Sequence, residues 1–274
     1  MDSTKNLKTA DLRFEFGKNW SRFLQAINEE KITAAERSLV EMLEVENLDG
    51  KSFLDIGSGS GLSSLAARRL GARVYSFDYD PHSVECTVEL RRRYFPEDPA
   101  WIADRGSVLD KEYLENLGKF DIVYSWGVLH HTGAMWQALA NVMTPVREGG
   151  NLLIAIYNDQ GFKSRFWRSV KRNYCSGPIK KTLIITLFVP TFILGAAAVD
   201  VVKKRNLTKR YTEYKKHRGM SVWHDWLDWL GGYPFEVAKP EEIVDYYESR
   251  SFQLQKIKPC GRKMGNNEFV FLKI

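Results

Sequence analysis

Apolar residues recur along this chain at two different spacings, and the change falls at Asp49–Gly50. Before it, Phe23, Leu24 and Ile27, then Leu39, Val40 and Leu43, sit at helical intervals with Glu, Lys and Arg between the groups. Residues 1–50 therefore read as a helical arm or cap. Phe14–Glu15–Phe16–Gly17–Lys18–Asn19–Trp20 precedes both groups. This aromatic segment suits either an arm folded over a site or a helix start stapled to the core. After Asp49–Gly50, short apolar runs alternate with helical stretches. Strands are expected over 51–56, 73–78, 101–103, 120–126 and 151–157, and helices over 62–70, 83–94 and 135–142. Such alternation means βαβ units and a parallel sheet.

The alternation stops at Asp159 and resumes at Lys239. Pro240, Glu241 and Glu242 open a helix expected over 240–249, where a proline and acids suit the first turn. Strands over 253–258 and 268–272 close the chain. Their connection is short and holds Gly261 and Gly265, which predicts an antiparallel hairpin. The chain thus divides into a cap (1–50), an α/β core (51–158 and 239–274) and an insertion (159–238).

Charge sharpens that division. The 274 residues carry a formal net charge of +6. Residues 159–218 hold 15 Lys or Arg against 3 Asp or Glu, leaving 25 basic and 31 acidic residues elsewhere. A mildly acidic protein therefore carries one strongly basic block, which points to an anionic ligand or surface. The centre of the insertion, 182–202, is apolar with Asp200 as its one charge, between Lys180–Lys181 and Lys203–Lys204–Arg205. That length permits a membrane span. Pro190, Gly195 and Asp200 weaken a span, which would also divide the core. Upstream, Phe162, Phe166, Trp167 and Val170 alternate with Lys163, Arg165, Arg168, Lys171 and Arg172. Aromatic and basic residues so mixed suit an anionic lipid surface. The insertion reads as a helical lid, either self-packed or dipping into a membrane.

Composition adds exclusions. Hydrophobic residues make up 44% and charged residues 27%, so the chain can bury a core and is not disordered. Cys86, Cys175 and Cys260 stand far apart without metal-ligand spacing, so neither a disulfide scaffold nor a metal site is expected. The expected location is the reducing cytoplasm, with peripheral contact at the inner face of the membrane. The first twenty residues are polar and mixed in charge, unlike a secretory signal.

The candidate chemistry starts at Asp55–Ile56–Gly57–Ser58–Gly59–Ser60–Gly61, between an expected strand and an expected helix. Glycines let the backbone turn sharply and bring a ligand against the main chain. Asp78 ends the next strand, 23 residues after Asp55. There a carboxylate can accept hydrogen bonds from both ribose hydroxyls. Dinucleotide-binding turns read G-x-G-x-x-G. This turn reads G-x-G-x-G with an acid two residues before the first glycine. That pattern resembles motif I of the class I S-adenosylmethionine-dependent methyltransferases, and the likeness runs over 51–158 and 239–274. Phe77–Asp78–Tyr79–Asp80 resembles the second motif, and Gly106–Ser107–Val108–Leu109–Asp110 the adenine-contacting turn. Phe120 to Trp126, followed by Val128–Leu129–His130–His131, resembles the fourth strand and its loop in small-molecule and quinone O-methylating members. Gly149–Gly150 resembles the family's lead into strand five.

The resemblance implies a Rossmann-like, seven-stranded, mostly parallel sheet with an antiparallel last strand. The lid would lie between strand five and the following helix. It implies S-adenosyl-L-methionine as cofactor and S-adenosyl-L-homocysteine as product. Gly57, Ser58, Gly59 and Gly61 would approach its methionine part, and Asp55 would orient the loop or the bound amine. Asp78 would bind the ribose, with Tyr79 beside it. Ser107 and Val108 would face the adenine, and Ser125 and Trp126 would border the cofactor. Many relatives carry Asp where Ser107 stands, so Asp104 and Asp110 are alternatives for the adenine amino group.

The implied reaction is O-methylation of a small-molecule, lipid-linked or quinone-like acceptor. Its sulfonium methyl is already activated, so the protein must align the acceptor and remove a hydroxyl proton. A histidine suits that task. His131 and His130, at the carboxyl end of strand four, are the first base candidates, and His224 within Trp223–His224–Asp225–Trp226 is another. Ubiquinone-type relatives carry metal-holding carboxylates in this loop. Gly127 and His130 stand in their approximate places, so no metal is expected.

Three other functions compete. A tRNA or rRNA methyltransferase would use the basic insertion on nucleic acid. Its apolar centre and the lack of an Asn/Asp-Pro-Pro-Tyr/Phe signature after strand four argue against that. A nicotinamide oxidoreductase is disfavoured by the glycine spacing. A non-catalytic membrane-associated binding protein would not need Asp55, Asp78 and the glycines together.

Overall fold

The computed structural model describes residues 27–202, 222–261 and 265–274, with Phe14, Gly17, Trp20 and Leu24 from the segment before them. Helix α1 (Glu29–Leu43) packs on the core through Ile32, Leu39 and Met42. Asn28 caps it by accepting the Lys31 amide, and Glu29 and Glu30 in the first turn complement the helix dipole. Then β1 (Ser52–Ile56), α2 (Leu62–Arg69), β2 (Arg73–Asp78), α3 (Pro81–Tyr94) and β3 (Trp101–Arg105) alternate as the hydrophobic pattern requires. A short helix, α4 (Lys111–Asn116), follows. It was not expected, because six residues leave too little periodicity to read; its cap is the Asp110 carboxylate on the Tyr113 amide.

Next come β4 (Phe120–Trp126), a 3-10 turn (Leu129–His131), α5 (Met135–Asn141) and β5 (Val146–Tyr157). Three helices fill the insertion: α6 (Phe162–Cys175), α7 (Pro178–Val202) and α8 (Val222–Gly231). The core ends with α9 (Pro240–Glu248), β6 (Phe252–Lys258) and β7 (Asn266–Lys273). β5 starts at Val146 rather than 151, turning at Gly149 with φ of 68°.

The sheet order is β3-β2-β1-β4-β5-β7-β6. β1 to β5 pair in parallel, whereas β7 runs antiparallel to both β5 and β6. This is the expected mixed sheet with one reversed strand. Alternation along β1 splits the core. Leu54 and Ile56 join Val123, Ile154, Phe269 and Phe271 under α5 and α9, while Phe53 joins Val74, Leu65 and Leu90 under α1, α2 and α3. The order reverses between β1 and β4, so a crevice opens at their carboxyl ends, where open α/β sheets bind ligands.

The insertion leaves and re-enters the core at one neck. The Ala238 amide donates to the Tyr157 carbonyl and the Asp159 amide to the Ala238 carbonyl, each at 3.0 Å.

Candidate active site

The glycine loop lies at the crevice. Gly57, Gly59 and Gly61 have φ of +78°, +56° and +79°, the left-handed region that favours glycine. Space is the second constraint. A Cβ on Gly57 would sit 2.5 Å from Val128 in the loop after β4, and one on Gly61 would meet the Thr87 backbone at 2.9 Å. The β1 and β4 loops therefore touch across the switch point. Ser58 Oγ pairs with Thr87 Oγ1 at 2.9 Å, which ties the loop to α3.

Asp78 reaches this loop. Its Oδ2 accepts the Gly59 amide at 3.0 Å and its Oδ1 accepts the Asp80 amide at 2.9 Å. Two amides orient the carboxylate at the crevice edge, and Tyr79 beside it is 55% exposed. A loop whose three glycines take positive φ, beside an oriented acid, fits the methionine and ribose parts of S-adenosyl-L-methionine.

Asp55 lies beneath the loop. It is buried on the α2 face, where Ser64 Oγ donates to its Oδ2 at 2.5 Å. Ser64 also pairs with Ser76 at 2.7 Å, and the Trp101 indole donates to Ser76 at 3.0 Å. Burial, and secondly the Asp78 charge, push the Asp55 pKa up to about 7, while the Ser64 bond pulls it down. Asp55 thus pins the strand to the helix that follows the loop.

Other expected cofactor contacts divide. Ser107 Oγ accepts the Leu109 amide at 3.2 Å in the turn after β3, and Val108 is buried beside it with its carbonyl held by Asn141. Asp110 caps α4, and Asp104 accepts both the Tyr75 and Tyr113 hydroxyls, so each alternative acid already serves the fold. Ser125 corrects its expectation. Its buried hydroxyl donates to the Ile56 carbonyl at 3.0 Å, so it ties β4 to β1 from within. Trp126 is 47% exposed at the strand end.

The N-terminal segment combines its two expected readings: Gly17, Trp20 and Leu24 are helical and Leu24 is buried in the core with Trp20 packed against that cluster, while Gly17 and Trp20 also reach the crevice edge. The Gly17 amide donates to Asp80 Oδ2 at 2.9 Å, while Asp80 Oδ1 caps α3 on the His82 amide. The Trp20 ring lies against Gly59, 3.0 Å from where a Cβ would stand. The Phe14 amide donates to the Tyr233 carbonyl at 3.0 Å. These residues run from the insertion's return segment across the end of β2 to the glycine loop.

His130 and His131 meet edge to face at 4.6 Å between ring centroids, with Tyr157 at 4.0 Å from the first and 5.5 Å from the second. Their hydrogen bonds separate them. His131 Nδ1 lies 2.6 Å from the Pro234 carbonyl. A carbonyl only accepts, so Nδ1 carries the ring proton and Nε2 the lone pair. His130 Nδ1 takes the Tyr157 amide at 3.3 Å, which places its proton on Nε2. His130 is fully buried and its Nε2 has no hydrogen-bond partner. Burial, then the neighbouring His131 and Lys171, holds its pKa well below the usual imidazole range. His130 is therefore corrected from base candidate to a neutral, buried ring that accepts the Tyr157 amide. The side chain of His224 lies outside the described residues, as do those of Trp223 and Asp225.

Residues that sequence reasoning missed come from the insertion's return. Glu236 accepts the Met135 amide at 3.1 Å, and burial raises its pKa. Phe235 and Trp229 pack on Tyr157 at 5.1 and 6.3 Å. Lys171 is buried, its ammonium donating to the Trp229 carbonyl and lying 4.1 Å from the Trp229 ring centroid. Gly231–Gly232–Tyr233–Pro234 signals a turn, but no local pattern reveals that this turn docks on the loop after β4. Among the described residues no group of three or more His, Cys, Asp or Glu gathers as a metal set.

A family model described as a methyltransferase domain matches residues 24–251. Ribosomal protein L11 methyltransferase of Helicobacter hepaticus is 35% identical over 78 residues, 28% of this chain and 24% of that protein. tRNA U34 carboxymethyltransferase of Pseudoalteromonas translucida is 32% identical over 111 residues, 40% of this chain and 33% of that protein. The matches thus span a third or less of those relatives' length. Magnesium protoporphyrin IX methyltransferase of Synechocystis PCC 6803, solved with bound SAH, aligns with a TM-score of 0.55 at 13% identity, covering 98% of this chain and 100% of that one. That likeness is one of fold.

Proposed function

This chain belongs to the methyltransferase domain family, and we propose that it methylates a hydroxyl oxygen of an apolar small molecule, lipid-linked or quinone-like. It is an S-adenosylmethionine-dependent methyltransferase. The bound cofactor supplies a methyl group already activated on sulfonium. Aligning the acceptor, excluding water and removing a proton fall to the chain.

His131 carries the proposal. Its Nδ1 proton is committed to the Pro234 carbonyl at 2.6 Å, so the basic lone pair is on Nε2. That is the tautomer a general base requires. As the acceptor oxygen gains the methyl group, His131 Nε2 takes its proton. Tyr157, Phe235 and Trp229 form an aromatic cluster beside it, suited to an apolar ring or chain. Gly57, Ser58, Gly59, Gly61, Asp78, Tyr79, Ser107 and Val108 would hold the cofactor.

A nucleic-acid acceptor is the second reading. It draws on the basic insertion and on similarity to a tRNA-modifying relative. The aromatic, apolar lining around His131 favours the first.

The test is a label-partition assay. Protein is incubated with methyl-labelled cofactor and a crude bacterial lysate containing membranes, then extracted into organic, aqueous, nucleic-acid and protein fractions. Alkali-stable label in the organic fraction, lost in His131→Asn, supports an ether product. Label in nucleic acid would install the second reading. Alkali-labile label would mean an ester, and the hydroxyl assignment would fall.

A further inference from the structure

Helix α7 presents an apolar face to solvent. Ile179, Leu183, Leu187, Leu194 and Val201 are 84, 67, 60, 69 and 65% exposed. Its other side is occupied. Ile184 and Val189 are buried, Phe188 packs on Trp167 of α6 at 5.5 Å, and Phe192 on Trp226 of α8 at 5.8 Å. A helix of 25 residues is about 37 Å long. An apolar face of that length is costly in water and marks a surface that something covers.

Charge identifies what covers it. Lys163, Arg165, Arg168, Arg172, Lys180 and Lys181 are all exposed. The acid within 162–202 is Asp200, which is buried. Exposed aromatic residues accompany these cations, Phe162 at 73% and Phe166 at 44%. Cations alone would suit nucleic acid. Cations beside a continuous apolar helix face suit the headgroup and acyl boundary of an anionic bilayer.

The packing also determines how the helix lies. A single crossing by α7 would leave α6 and α8 on opposite sides of a bilayer. Yet Cys175 Sγ of α6 reaches the Gly231 carbonyl of α8 at 3.1 Å, and Trp167 meets Trp229 edge to face at 5.5 Å. Residues 203–220 hold eight Lys or Arg and one Glu, a composition that cannot thread back through hydrocarbon.

We propose that α6 and α7 dock this enzyme on an anionic membrane, with α7 lying in the plane of the interface and its Leu183–Leu187–Leu194 face in the acyl boundary. The inference needs no particular methyl acceptor. It stands or falls on lipid binding, whereas the acceptor assignment stands or falls on the labelled product.

Flotation of the full chain with vesicles tests it, using phosphatidylcholine alone or mixed equally with phosphatidylglycerol. The expected result is binding to the mixed vesicles, at least about tenfold weaker binding to neutral ones, and release by high salt. The triple variant Leu183→Asp/Leu187→Asp/Leu194→Asp should lose binding while keeping cofactor affinity, which controls for folding. The double variant Lys180→Glu/Lys181→Glu should weaken binding and flatten its salt dependence. Spin labels on Leu187→Cys and Leu194→Cys should report equal, shallow depths. Unequal depths with resistance to carbonate extraction would mean a span and overturn the in-plane docking. So would vesicles left unbound while transfer RNA is retained, or while light scattering shows a dimer that the triple variant abolishes.

Discussion

β5 and α7 are both long apolar runs, and they meet water in opposite ways. Leu152, Leu153, Ile154, Ala155 and Ile156 of β5 are at most 1% exposed, whereas Leu183, Leu187 and Leu194 of α7 are 60–69% exposed. β5 has β4 and β7 at its edges and helices over its faces. α7 has α6 and α8 on one side alone among the described residues. At roughly 25 cal/mol per Å² of buried apolar area, the first arrangement stabilises the fold and the second leaves that free energy for a surface. The core therefore holds the glycine loop and Asp78, the insertion holds the exposed apolar face proposed for docking, and His131 stands where the two join.

Perturbing that junction should have the largest effect. His131→Asn should lower the single-turnover rate by about 10²–10⁴-fold while leaving cofactor affinity and vesicle binding intact. Loss of cofactor binding instead would move His131 into the core's structural machinery. A drop in vesicle binding would mean that core and insertion are not separable.

Asp55 probes the core alone. Its folded pKa of about 7 lies above the ordinary value of 3.8, so the folded state holds the proton more tightly than the unfolded one. The group therefore costs stability progressively as pH rises from 3.8 to about 7, by up to roughly 4 kcal/mol. Asp55→Asn lacks that titration. Its stability relative to the parent should climb over this window and level off above it, as read by urea unfolding from pH 4 to 8. A constant difference would show that Asp55 is ionised throughout.

The glycine loop comes next. Gly57→Ala places a side chain at φ of +78° and 2.5 Å from Val128. Left-handed strain of about 1–2 kcal/mol plus that clash should weaken cofactor binding by about 30–100-fold in calorimetry. Vesicle flotation should not change. The smallest effect belongs to the arm. Gly17→Ala pushes a methyl into the Asp80 carboxylate and should cost the hydrogen bond held there. A bond worth about 1 kcal/mol corresponds to about fivefold faster cofactor release. No change in release would mean that the arm rests beside the crevice without closing it.

Legibility in the sequence followed range. The strands and most helices were readable because a period of 2 or 3.6 is written in neighbouring residues. α4 escaped because six residues carry no period. The turn at Gly57, Gly59 and Gly61 was readable because positive φ favours glycine locally. Ser125 looked like a cofactor contact because it ends β4, but which atom its hydroxyl meets depends on Ile56, 69 residues earlier. Glu236 and Pro234 carried no signal, since their partners lie about a hundred residues upstream.

By itself, then, the sequence determined the sheet, the glycine loop and the existence of a basic, apolar insertion, all of which rest on local composition and spacing. Tertiary structure alone decided which histidine meets the Pro234 carbonyl through Nδ1 and which face of α7 meets solvent. A tautomer is set by the partner across the fold, here the Pro234 carbonyl 103 residues from His131. Exposure is set by which helices pack alongside, and neither is written within one helical turn of the residue concerned.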